Sequence, residues 1–187
     1  MGTDAPEGPG RLTLPADPAR DHMLGDPRAP VTLLVYGDYE CPFTRKGMRI
    51  VQRLLPDFEG RVRFAYRQFP LTHKHPRAMP AAAVAEAAAA QGRFWETHHL
   101  LFRHQDDLGD GELRRHAADA GCDLDALEAE IASGRPAGRV REDAASGWDS
   151  GVRGTPAFFV GVARYDGDTE AGLLRTELER AVGGRGE

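Results

Sequence analysis

Cysteine is scarce in this chain: its 187 residues include two, Cys41 and Cys122, too few for a disulfide-stapled scaffold. Lysine is as scarce, with only Lys46 and Lys74, and the arginines that supply the remaining positive charge are dispersed. With a formal net charge of −5 and no basic run, the chain lacks the clustered cations that hold phosphate backbones, which excludes a nucleic-acid partner. No apolar run approaches the roughly 20 residues that span a bilayer, so no membrane span is expected. Glycine-rich phosphate loops, serine-hydrolase motifs and H-E-x-x-H are all missing. His98, His99 and His104 lack metal-ligand spacing, so neither a metal nor a bound cofactor is expected. The opening residues, "MGTDAPEGPGRLTLPADPARD", carry no basic leader and no apolar core. They read as a flexible lead-in over 1–22 of a cytoplasmic protein, or of an extracytoplasmic one whose leader has been removed.

What is present is a composition of 41% hydrophobic and 28% charged residues, that of one soluble domain with a sizeable core. "APVTLLVYG" reads as a buried strand, "PFTRKGMRIVQRLLPDF" as a helix with Met48, Val51, Leu54 and Leu55 on one face, and "RVRFAYRQFPL" as a second, parallel strand. From about 77 to 151 the pattern is helical only. Strands return at "PAFFVGVARYDG", and a helix from about Thr169 to Val182 closes the chain. The expectation is an α/β domain over 23–182 interrupted by a helical insertion, with a frayed tail at 183–187.

The chemistry concentrates in "GDYECPFTRKG", residues 37–47, where the first strand runs into the helix. Cys41 stands at the helix start, where free backbone N–H groups and the positive end of the helix dipole favour a thiolate. Pro42 fits the first turn because its missing N–H is not needed there. Thr44 can offer a hydroxyl to the sulfur, and Arg45 and Lys46 add positive charge. Cys122 reads differently: it precedes Asp123, a predicted helix cap, and is placed to pack on Leu127. His98 falls on a packed helix face with Phe94, Leu101 and Phe102. His73 and His75 lie in a loop.

Taken together, "APVTLLVYGDYECPF", "FPL…HP", "AAAAQGRFWETHHLLF" and "SGVRGTPAFFV" resemble the DsbA-like branch of the thioredoxin superfamily over roughly residues 20–182. The resemblance implies a thioredoxin fold with an inserted all-helical subdomain and a nucleophilic cysteine at Cys41. It also implies a cis-proline loop at Gly154, Thr155 and Pro156, which with Pro42 and Phe43 would receive an extended peptide. Phe43, Tyr39 and Phe69 suit an apolar rim and equally the core, and the His73 and His75 loop would lie near the site entrance. Two positions depart from the pattern. Thr44 stands where the family's second cysteine would be, and Val35 stands where related proteins commonly carry a buried acid beneath the site. The departures fit one another, since without a second thiol a buried carboxylate has no proton to manage.

Three readings follow. In the first, a monothiol oxidoreductase forms a mixed disulfide at Cys41 with a protein or peptide substrate, and an external small thiol such as glutathione resolves it. In the second, Cys41 is the peroxidatic cysteine of a thiol peroxidase, because C-x-x-T at such a helix start also resembles glutathione peroxidases. The third is a noncatalytic, chaperone-like module that binds peptides.

Overall fold

The computed structural model describes residues 10–167 and 171–184. One five-stranded sheet forms its centre, with strands β1 (His22–Leu24), β2 (Val31–Gly37), β3 (Val62–Gln68), β4 (Ala157–Val160) and β5 (Ala163–Tyr165) in the order β1-β3-β2-β4-β5. β2 and β3 run parallel, joined by α1 (Pro42–Leu54), as the length of the crossover requires; the other pairings are antiparallel. β2 is buried along its whole length, which is why it reads as a continuous apolar run rather than an alternation. The helix expected to reach Phe58 stops at Leu54 and continues as a 3₁₀ turn, Leu55–Phe58. Pro56 accounts for the change, because it has no N–H to donate back to the preceding turn and its ring crowds the carbonyl four residues earlier, even though Leu55 before it keeps α-region dihedrals (φ −54°, ψ −39°).

Five helices fill the predicted insertion: α2 (Ala78–Ala89), α3 (Phe94–Arg103), α4 (Asp110–Asp119), α5 (Leu124–Ala132) and α6 (Arg135–Asp149). The alanines of α2 serve close packing: Ala81, Ala82, Ala85, Ala87 and Ala88 are all buried. Asp123 caps α5 by accepting from the Ala126 N–H at 2.8 Å, and Cys122 and Leu127 are buried in the same core cluster. The last helix, α7 (Ala171–Gly183), packs on α1, β2 and β4. Thr169 and Glu170, where it was expected to begin, lie outside the described residues, as do 1–9 and 185–187.

The lead-in departs from expectation within residues 10–22. Leu12 and Asp21 are buried, and Arg11 bridges to Ala163 at the β5 edge. The segment is held by the fully buried Arg67 of β3. Its guanidinium donates to both oxygens of Asp21 at 2.8 Å, to the carbonyls of Leu14 (2.8 Å) and Pro15 (3.0 Å), and to the Tyr36 hydroxyl at 2.9 Å. Burial pushes the Asp21 carboxyl up, but the bonds from Arg67 and from the Asp17 N–H outweigh it and leave the group below its ordinary range. An arginine in a strand thus makes residues 10–21 part of the domain.

Candidate active site

β2 ends at Gly37, and the chain turns once before α1. A Cβ on Gly37 would lie 2.6 Å from the Tyr66 hydroxyl and 2.8 Å from Thr44 Cγ2, so the absence of a side chain lets the turn sit directly on the sheet. Cys41 occupies the N-cap of α1 with extended backbone (φ −78°, ψ 118°), and Pro42 opens the helix. No side chain caps this end and no acid stands in its first turn. The first N–H groups and the positive end of the helix dipole are therefore uncompensated around the sulfur.

Cys41 is 3% exposed, and its thiol donates to the carbonyl of Thr155 at 3.3 Å. The Thr155–Pro156 bond is cis. Gly47 allows this approach, since a Cβ there would be 3.0 Å from the Phe158 ring and 3.3 Å from Pro156. Cys41, Pro42, Thr155 and Pro156 are thus brought together from ends of the domain more than a hundred residues apart. Phe43 stands beside them, 69% exposed. Tyr39 and Phe69, which the sequence left between rim and core, are both in the core. Tyr39 lies against the rings of Tyr66, His98 and Phe102, and Phe69 against Tyr36.

Thr44 is fully buried, and its hydroxyl oxygen accepts from the Asp38 N–H at 3.4 Å, so its hydrogen bond supports the turn beneath the thiol. Val35 is buried in the main core, in register with Tyr66 on β3 and Phe158 on β4. Arg45 pairs with Asp106 at 3.2 Å. His73 is exposed, whereas His75 donates from Nδ1 to the Asp38 carboxylate at 2.8 Å.

The sequence reading missed the groups that hold the cysteine turn. The buried Asp38 carboxylate accepts from the N–H groups of Glu40 and Leu71, each at 2.8 Å, as well as from His75. Gln105, just beyond α3, donates one amide nitrogen to the carbonyls of Tyr39 (2.6 Å) and Cys41 (2.9 Å). Glu40 accepts from the Arg77 N–H at 2.6 Å. Two loops, one after β3 and one after α3, therefore clasp the turn and fix where the sulfur points. The one sequence signal was the loop histidine. Cys122 takes no part in this arrangement: burial pushes its thiol above the ordinary range, which suits an inert packed sulfur. Among the described residues, no group of three or more His, Cys, Asp or Glu is arranged to hold a metal, and no helix is long and apolar enough to cross a membrane.

The thioredoxin family profile matches residues 18–179. A curated relative, the Na(+)/H(+) antiporter NhaA 3 of Salinispora tropica, is 45% identical over 163 residues, which make up 87% of this chain and 25% of the antiporter. The chain spans about a quarter of the length of the curated relatives it matches. Among solved structures, a thioredoxin-like oxidoreductase from Silicibacter pomeroyi DSS-3 superposes with a TM-score of 0.78 at 30% identity, over 88% of this chain and 93% of that one. Oxidised BdbD from Bacillus subtilis superposes with a TM-score of 0.82 at 21% identity, over 93% and 99%.

Proposed function

The chain belongs to the thioredoxin family and has its fold, with a helical insertion, and from that premise we propose a thiol-disulfide oxidoreductase that works through the single sulfur of Cys41. The thiolate attacks one sulfur of a protein or peptide disulfide, forming a mixed disulfide and releasing the other sulfur as a thiolate. An external thiol, as its thiolate, then attacks the mixed disulfide at the substrate's sulfur, frees Cys41 and leaves joined to the substrate. A second external thiol displaces the substrate, so the substrate disulfide gains two electrons and two small thiols become one disulfide.

The observation that carries this reading is the apposition of Cys41 at an uncapped helix start to the Thr155 carbonyl, with Thr44 in place of a second thiol. Substrate backbone pairing beside Thr155, with Phe43 as apolar contact, is the mode the site suits. The antiporter name belongs to chains of which this one matches a quarter, and no ion transport is carried over.

Intact-mass analysis tests the proposal after separate exposure to oxidised glutathione and to hydrogen peroxide. The expected product is one adduct at Cys41, reversed by excess thiol. Rapid conversion to sulfenic or sulfinic acid with no adduct would replace the proposal with the peroxidase reading, and inertness would replace it with a binding module.

A further inference from the structure

A concave groove of about 330 Å³ runs between α1 and α3, lined by Arg45, Met48, Arg49 and Gln52 on one side and Phe102 and Arg103 on the other. The α1 residues fall four, seven, eight and eleven positions after Cys41, the spacing of a single helical stripe that begins at the cysteine. Arg49 and Arg103 are exposed and make no ion pair among the described residues, and the partner of Arg45, Asp106, is itself 89% exposed. His99 also faces the groove; its Nδ1 donates to the Trp95 carbonyl, which leaves Nε2 available.

Three guanidiniums on one concave surface repel one another, and in a chain of net charge −5 such a local excess concentrates a positive field beside the thiol. Guanidinium forks match carboxylates in shape and charge, while Met48 and Phe102 offer an apolar floor for a short aliphatic stretch. The volume is at the small end of ligand sites, roughly 300–1,000 Å³. Along the helix axis, Arg45 and Arg49 stand about 6 and 12 Å from Cys41, at 1.5 Å per residue. Three extended residues span about 10 Å.

We propose that this groove binds the carboxylates of a tripeptide-sized anionic thiol and so selects the external thiol that resolves the adduct at Cys41. The inference rests on the exchange reading above for its role, though not for its binding site.

Two measurements separate the two. In a Cys41→Ser protein, which cannot exchange, S-methylglutathione is titrated while amide shifts are followed by NMR. The expected shifts centre on residues 45–52 and 99–103, and affinity falls about tenfold or more in the Arg49→Gln/Arg103→Gln double variant and with added salt. Arg141→Gln, which removes an exposed charge from α6, leaves the affinity as it was. In the chain with Cys41 intact, the rate with oxidised glutathione relative to cationic cystamine falls about tenfold in the same double variant. Absence of shifts in the groove, binding of an acidic peptide but not the small thiol, or a rate ratio untouched by the double variant overturns the proposal. Groove binding by a chain whose Cys41 reacts with no disulfide sustains the site and refutes the exchange reading instead.

Discussion

At the scale of single residues, the exchange proposed for Cys41 turns on Thr44 and Val35. Thr44 sits in the first turn of α1, fully buried, so Thr44→Cys should yield an internal disulfide with Cys41 on mild oxidation, seen as loss of two titratable thiols. Insulin reduction should stay slow until Val35→Glu is added, at a cost of a few kcal/mol for the buried carboxyl. If Thr44→Cys alone reaches the rate of the double variant, Val35 is simply a core residue. His98 gives a second prediction. Burial, with the charges of His99 and His22 adding to it, holds its imidazole well below the ordinary 6.5, and it shares a 2.9 Å hydrogen bond with the Tyr39 hydroxyl. The folded chain keeps His98 neutral as the pH falls through 6.5, while the unfolded chain takes up a proton. The associated stability is therefore complete above that pH and lost below it, by about 1.4 kcal/mol per pH unit. Denaturant titrations between about pH 6.5 and 5 should show a slope shallower by one proton in His98→Gln than in the parent; equal slopes would contradict the assignment.

At the scale of elements, α6 lies on the sheet at Gly147, where a Cβ would fall 2.8 Å from the Phe69 ring and 2.9 Å from the Tyr36 ring. Gly147→Ala should therefore destabilise by about 1–3 kcal/mol despite its better helix propensity, which thermal or chemical unfolding would report; a gain in stability would mean that the helix can back away. The strand, helix and strand around Cys41 were legible because their periodicities are local, and so was the helical character of the insertion, though not its division into five helices, since α2 and α3 read as one alanine-rich stretch. The cis loop was not: "GTP" alone is a turn signal, and only the resemblance turned it into half of a site. Nor was the clasp on the cysteine turn, because Asp38 meets His75 from 37 residues away and Gln105 reaches Cys41 across 64. Such pairings leave no mark on local spacing. Sequence left Tyr39 and Phe69 between rim and core for a related reason, since an aromatic near a site in sequence can point to either side of its strand or turn.

For the whole molecule, the Arg67 network joins the lead-in, the sheet and α6, because Arg20 and Arg139 also reach the buried Asp143. Asp21→Ala leaves Arg67 buried without its carboxylate and should cost about 3–5 kcal/mol, measured by urea unfolding; a loss below about 1 kcal/mol would mean water replaces the partner. The same segment has a second effect at the far edge of the sheet. Leu12 donates to the Val162 carbonyl at 2.9 Å and Arg164 to the Gly10 carbonyl at 2.8 Å, so the outer side of β5 is already occupied by the chain's own backbone. The opposite edge, β1, is only three residues long. An open strand edge is a template on which another chain can add by backbone hydrogen bonding. By laying residues 10–12 along β5, the domain withholds that template from its neighbours and guards itself against aggregation.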